Sequence, residues 1–515
     1  MVPSASLPLP RPARPMPCPT APVSAAAPPM LSPVLRWLIY VIAAIGFAFD
    51  TYELLMLSLI VRPALHDLAG LTPGSAAFSL WLSLLFYLPA VCGGIFGLLG
   101  GTLIDRIGRK RVLTLSILLY ALASFASGFS TSLPMLLVLR CLVFIGFCVE
   151  FVAAVAWLAE LFPEHRRRES VLGITQTFSS LGALMLALVS GVITAWAASQ
   201  PGPLAFGVTL PAVTLPPVAL PEALAWLGPI ENPRAGWRYT LMSGVIPALP
   251  LILVRPWLPE SPLWRDRHRA GTLPRPRLSA LFAPDLRRTT LVTALMVTLS
   301  FVISFAAVQQ MPQLVPGLPD VRAEVAQAVA GAEAAGSHQP ARQIAAPIEE
   351  GASAEVMKGQ GVGSICSRVA FVALTLLILS RRLLLRLLLV PGALLMPIIF
   401  GWLMLDSVPA AQAGAFLVSL LVVPQFSYWG NYLPRVFPLH LRGTGESFAI
   451  NVGGRMCGAA FIGLSQAIAY WLPVGDSPVV RLSYAIGLVA TLAYLANLAM
   501  SFRLPEPAVG QDLSR

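Results

Sequence analysis

The sequence predicts an all-α polytopic membrane protein, with twelve transmembrane helices in two pseudo-symmetric six-helix bundles. Three observations predict it. The 515 residues are 56% hydrophobic and only 11% charged, whereas a soluble domain carries about 25% charged residues. The apolar residues fall in repeated runs long enough to cross a hydrocarbon core about 30 Å thick, and a lipid-spanning helix satisfies its own backbone. The basic residues gather in short links between those runs. Despite a net charge of +11, that placement is the footprint of a cytoplasmic membrane face, not of a nucleic-acid partner.

Taken in order, residues 1–32 are rich in Pro, Ala and Ser and lack the apolar core of a signal peptide. They are expected to form a disordered tail, or to precede a later start at Met30. Residues 33–257 form the first bundle, with helices 1 to 6 expected near 35–60, 78–103, 112–130, 133–161, 171–197 and 237–257. The stretch 200–236 is a Pro-rich outer loop, too broken to span. A basic linker, 258–288, separates the halves. The second bundle covers 289–502, with helices 7 to 12 near 289–311, 359–380, 385–405, 410–433, 446–471 and 481–502, an outer loop at 312–354 and a tail at 503–515. Six spans per half place both termini in the cytoplasm, in agreement with the excess of basic residues on that side. Five of the six cysteines lie inside apolar runs, with no disulfide or metal spacing.

Between helices 2 and 3 the chain reads GGTLIDRIGRKRVL, residues 100–113. A merely basic link accounts for its arginines, but not for Asp105 or the spaced glycines. Gly101, Asp105, Arg106, Gly108, Arg109 and Lys110 match the pattern Gly-x-x-x-Asp-Arg-x-Gly-Arg-Lys. This resembles the signature loop of the major facilitator superfamily. The halves echo each other as well. Glu160-Leu-Phe-Pro is mirrored by Arg435-Val-Phe-Pro, Arg167 by Arg442, and Leu258-Pro-Glu by Leu504-Pro-Glu. The resemblance implies two six-helix bundles with a substrate site near the midplane between them, opened alternately to either side. It also implies a gating role for the signature residues together with Glu160, Arg167, Glu260 and Arg442.

Glu160-x6-Arg167 and Pro259-Glu260-Ser261-Pro262 are similar to the sugar-porter branch, and the aromatic-acid and phosphate symporter branches share similar residues there. Two features depart from sugar porters. The helix-7 pattern Gln-x-x-Gly-x-Asn is absent, and the second-half copy of the signature loop carries Arg381 and Arg382 without an aspartate. Arg435 also stands where a glutamate is expected. The charge lattice is therefore expected to be tight in the first half and loose in the second.

Charges inside a span cost about 2.5–3.5 kcal/mol each on insertion scales and so mark functional sites by default. Asp50 lies about 22 Å along helix 1 from its inner end, and Arg140 on helix 4 falls at about the same depth. The resemblance to sugar porters makes these two the proton-coupling pair. Glu53, three residues on and on the same face, is a second proton or substrate group or else reaches the outer interface, and Glu150, deeper toward the inside on helix 4, is a further proton-coupling candidate. A static ion pair fastening helices 1 and 4 is the plainer alternative. Arg368 on helix 8 and Arg455 on helix 11 have no acid near them in sequence and are candidates for contact with an acidic substrate, unless Arg368 snorkels outward. Gln176, Gln309, Gln310, Gln425, Trp429, Asn431 and Asn451 are candidate cavity-lining groups. More than half are expected to be interhelical hydrogen bonds instead.

The expected function is secondary active transport of a small polar metabolite, a sugar or an organic anion, by alternating access with proton symport. Alternatives are a uniporter or drug exporter of the same fold, or a transport-inactive nutrient sensor. No nucleophile–base pair, phosphate loop or metal spacing points to an enzyme. The expected partners are the substrate, protons and the lipid bilayer, with no cofactor, no metal and no nucleic acid. The expected form is a monomer in the cytoplasmic (inner or plasma) membrane.

Overall fold

A computed structural model describes residues 32–161, 165–204, 208–246, 248–254, 259–260, 265, 269, 278–336, 340–378, 380–438 and 441–505. Residues 1–31 of the expected tail 1–32, most of the linker and the end of the chain lie outside those residues. Among them, eleven helices are long and apolar enough to cross a membrane. In the first half these are helix 1 (Pro33–Ala69), helix 2 (Ala76–Ile107), helix 3 (Arg109–Ser127), helix 4 (Leu133–Leu161) and helix 5 (His165–Ala197). In the second half, helix 7 (Arg287–Ile303) runs on into a wide π-helical turn (Ser304–Val308). Helix 8 (Ala341–Leu377), helix 9 (Arg381–Ile398), helix 10 (Val408–Val436) and helix 12 (Pro478–Met500) follow the same plan. Helix 11 is composite. It starts as Arg442–Ser447, widens to a π-helix over Phe448–Cys457 and returns to α over Gly458–Trp471. Large apolar side chains such as Leu80, Leu122, Leu376, Leu394 and Leu492 point out of the bundle, as a surface solvated by lipid requires.

The twelfth element, helix 6, is expected as one helix but is broken. It consists of Gly236–Met242, a tight turn Ser243–Val245 and a second piece, Ala248–Val254. The sequence Ser243-Gly244-Val245-Ile246-Pro247 carries the reason. Proline cannot donate to the ladder, and Gly244 lies so close to the Glu53 carboxylate and the Ser124 hydroxyl that any side chain would collide with them.

The stretch 312–354, expected as a loop, contains two short turns, a helix (Pro319–Ala334) and the first turns of helix 8. Hydropathy starts helix 8 only where its charges stop. Those charges are paired along the helix, with Arg342 2.8 Å from Glu349 and Lys358 2.5 Å from Glu355. Such pairs, with many alanines, sustain a helix in polar surroundings. The other loop, 200–236, forms a two-stranded ribbon (Gly202–Pro203 with Thr209–Leu210) and a short turn at Glu222–Leu227. It is tied down by Thr131 donating to the Leu227 carbonyl (2.6 Å) and Trp196 to that of Pro211 (3.0 Å).

The internal repeat reappears in three dimensions. Trp157 on helix 4 donates to the carbonyl of Pro259, at 3.0 Å. At the equivalent place Tyr432 on helix 10 donates to the carbonyl of Pro505. Each aromatic stands three residues before the Glu160 or Arg435 of its motif, and each proline belongs to a Leu-Pro-Glu triplet.

The halves meet along two seams of small residues, which permit close backbone approach. Gly94 and Gly97 of helix 2 abut Asn451 and Met456 of helix 11. Gly361 of helix 8 abuts Leu184 of helix 5, and Ser180 donates to the carbonyl of Ser364 at 3.1 Å.

Candidate functional site: a buried charge network between the halves

Helix 1 places Asp50 and Glu53 on one face, three residues apart, toward helix 4. Helix 4 returns Arg140 and Glu150 to them. Arg140 is wholly buried and Glu53 is 2% exposed, so their charges must be compensated inside the protein. They compensate each other. An Arg140 terminal nitrogen lies 3.6 Å from Glu53 Oε2, and the other donates to the Glu53 backbone carbonyl at 3.4 Å. The Ser124 hydroxyl lies 3.2 Å from the same carboxylate.

The expected pairing of Asp50 with Arg140 is therefore corrected: the partner of Arg140 is Glu53. The depth estimate was out by about one helical turn, and the three-residue step from Asp50 to Glu53, about 4.5 Å, closes the difference. Asp50 instead faces Glu150, within hydrogen-bonding reach. Asp50 Oδ1, Glu53 Oε1, Glu150 Oε2 and the Tyr120 hydroxyl are buried with no hydrogen-bond partner among the described residues. Unsatisfied buried groups are rare, and a cluster of them calls for a functional explanation.

Arg455 completes the network from the opposite half. It is 5% exposed, and its charge acts on both Asp50 and Glu150. Its guanidinium donates to Asn451 Oδ1 (2.8 Å) and approaches Cys148 Sγ (3.2 Å). It also covers the rings of Phe147 (4.3 Å) and Phe151 (5.2 Å), a cation–π seat. Arg455 has no acid near it in sequence; the acids its charge acts on lie across the interface, where sequence proximity carries no signal. Its place in the π-helical stretch of helix 11 fits the tendency of such stretches to mark functional sites.

Arg368 behaves differently. Its Nε donates to Ser180 on helix 5 at 2.7 Å and a terminal nitrogen donates to Ser427 on helix 10 at 3.3 Å. It does not snorkel outward. Helix 8 begins well before it, and helices 5 and 10 hold it in place.

The remaining polar candidates are largely interhelical hydrogen bonds. Gln310 joins Ser465 and Gln466, Gln425 joins Tyr494, and Trp429 joins Ser300. Gln309 bonds Ser58 and the Leu54 carbonyl of helix 1, so it links the halves. Asn431 Oδ1 has no partner among the described residues. Sequence reasoning missed the groups that complete this link away from the signature loop. Gln313 donates to the Ser58 carbonyl (2.8 Å), Arg62 reaches Glu349 (3.8 Å), and Thr194 reaches Glu350 (3.3 Å). Glu349 and Glu350 fall in the stretch expected as an outer loop.

At the signature loop, Gly108 adopts φ of +103°, a backbone favouring glycine, and starts helix 3 directly after helix 2. The buried Arg109 donates to the Ile104 carbonyl at the end of helix 2 (3.2 Å). The Glu260 carboxylate accepts from the Lys110 backbone N–H (3.2 Å), an anion at a helix N-terminus. Arg106 is exposed. Gly101, Asp105, Glu160, Arg167, Gln176 and Arg442 lie on helical backbone, but their side chains and surroundings fall outside the described residues. The expected looseness of the second-half lattice is corrected in one respect. Arg382 donates to the Leu504 carbonyl (2.6 Å) and Arg386 to Ser501 (3.2 Å), so basic groups bind the end of helix 12 where no aspartate is available.

Residues 36–447 match the family model for the Major Facilitator Superfamily. The chain is 25% identical over 461 residues to the probable 4-methylmuconolactone transporter of Cupriavidus pinatubonensis, covering 90% of this chain and 88% of that protein. It is 24% identical over 420 residues to the 3-(3-hydroxy-phenyl)propionate transporter of Escherichia coli, covering 80% and 84%. The partially occluded inward-open structure of the Escherichia coli xylose transporter XylE superposes with a TM-score of 0.60 at 16% identity, over 92% of this chain and 98% of that one; at that identity the likeness speaks for the fold alone. With the signature loop, the two-fold repeat and the helical plan already in place, these matches settle the family: the chain is a membrane transporter belonging to the major facilitator superfamily.

Proposed function

We propose that the protein takes up a small organic acid together with protons, by alternating access between its halves, with the signature-loop end in the cytoplasm of the inner membrane. The observation that carries this reading is the Asp50–Glu150 carboxyl pair of one half facing Arg455 of the other. A proton added to or removed from that pair changes the charge holding the halves together, which ties protonation to opening. The physical need for protons is independent of the network. Moving an anion into a negative interior costs about 2.3 kcal/mol per 100 mV, and a co-transported proton cancels that cost. Two relatives of nearly full length, named as transporters of a lactone and of an aromatic acid, support the substrate class.

Purified protein in liposomes is expected to accumulate 3-(3-hydroxyphenyl)propionate or a similar acid, and to do so faster when the lumen is alkaline. Accumulation of a neutral sugar in preference to every acid offered, or indifference to the pH gradient, refutes the reading. For orientation, Trp226 in the 200–236 loop is 78% exposed. A cysteine placed there is expected to label from outside intact cells, and labelling only after lysis reverses the assigned topology.

A further inference from the structure

Of the three arginines deep in the spans, two are matched to acids. Arg140 has Glu53, and Arg455 has Asp50 and Glu150 within electrostatic reach. Arg368 has none among the described residues; it is half-buried, and its bonds go to serine hydroxyls. It stands nine residues before Leu377 at the end of helix 8, about 14 Å along the axis and so near the middle of a core about 30 Å thick. A cation at that depth without an acid normally finds an anion.

We propose that Arg368 is the carboxylate-docking residue of the transport site, with Ser427 as its positioning residue and Ser180 as the group that occupies it before substrate arrives. This rests on the organic-acid reading above and sharpens it, because it selects one of the candidate arginines. The guanidinium has five N–H donors, and the two serines take Nε and one terminal nitrogen. A carboxylate bound in the bidentate manner that arginine favours along the Nε side displaces the Ser180 hydroxyl. Ser180 belongs to the first half, whereas Arg368 and Ser427 belong to the second. Docking the acid therefore exchanges a hydrogen bond between the halves for one to the substrate, so that loading loosens the helix 5–helix 8 seam.

The test is calorimetric binding to the full-length purified protein of 3-(3-hydroxyphenyl)propionate, benzoate and nicotinate, each beside its primary amide. Arg368→Gln is expected to weaken acid binding by about 10- to 100-fold, the loss of a hydrogen bond to a charged group, and to weaken the amides by a smaller factor, because their carbonyl accepts only a neutral bond. Arg368→Lys, which keeps the charge without the fork, is expected to restore part of the loss. If it binds acid as tightly as wild type, charge alone suffices and the fork-directed docking is wrong. Ser180→Ala removes the competing hydroxyl and is expected to tighten acid binding by about 2- to 10-fold; weakening there overturns the displacement. Retained amide binding separates lost docking from lost folding, and a misfolded Arg368→Gln leaves the decision to the lysine and alanine variants. Wild-type protein that binds the acids while Arg368→Gln matches it overturns this inference alone. Wild-type protein that binds none of the acids overturns the organic-acid reading and this inference with it.

Discussion

Asp50→Asn is expected to abolish uphill uptake while leaving counterflow exchange within about threefold of wild type. The substitution keeps the size of the side chain and its hydrogen-bonding capacity but removes the proton. Asp50 is 8% exposed, Glu150 is 2% exposed, and they face each other beside Arg455 of the other half. In counterflow, labelled and unlabelled substrate exchange without net proton movement, so a site that cannot release its proton still turns over. Net uptake has to reset the empty carrier with the proton discharged, which asparagine cannot do. The size of the loss follows from the driving force. One pH unit across the membrane is worth about 1.4 kcal/mol, a tenfold concentration ratio for each proton coupled, and that ratio is expected to fall to about one. Accumulation ratios measured in proteoliposomes at a fixed pH difference check it. A variant that still concentrates substrate tenfold assigns the coupling proton to Glu150 or Glu53 instead.

The spans and the signature loop were legible because each leaves a local mark in the chain. Membrane helices declare themselves by length and hydropathy, and the Gly108 turn by a glycine in a fixed pattern. The four charges Asp50, Glu53, Arg140 and Glu150 were legible for the same reason, since ionisable residues stand out in an apolar run. Their pairing was not. Helices 1 and 4 are far apart in sequence, and a depth estimate with an uncertainty of one turn cannot distinguish Asp50 from Glu53 as the partner of Arg140. Arg455 exposes the larger gap. Its acids belong to the other half, and a repeat inferred from the chain fixes the fold of each half without the register between them. Helix 8 was misplaced because its first turns are polar and internally paired, so hydropathy reads them as loop. Gly244 marks the break in helix 6, but the Glu53 carboxylate it accommodates can be seen only once the chain is folded.

Glu53→Gln is expected to be the most destabilising single change in the network, and more so than Arg140→Gln. The two side chains are 2% and 0% exposed and 3.6 Å apart. Removing one partner of a buried ion pair costs about 3–5 kcal/mol, because it strands the other charge. The two deletions strand different groups. A stranded carboxyl can take up a proton and become neutral, whereas a stranded guanidinium stays charged. Arg140→Gln therefore has an escape that Glu53→Gln lacks. The double variant Glu53→Gln/Arg140→Gln strands nothing and is expected to be more stable than Glu53→Gln alone, with a coupling of about 2 kcal/mol or more. Reversible unfolding in mixed micelles gives all corners of the cycle. Additive losses, or Arg140→Gln as the worst corner, would show that the pair does not compensate as its geometry implies. The same double variant separates a fastener from a proton carrier. If Glu53 and Arg140 only clamp helix 1 to helix 4, reconstituted double variant still concentrates substrate against its gradient, driven by protons at Asp50 and Glu150. If it binds and exchanges substrate but no longer accumulates it, the coupling proton resides on Glu53.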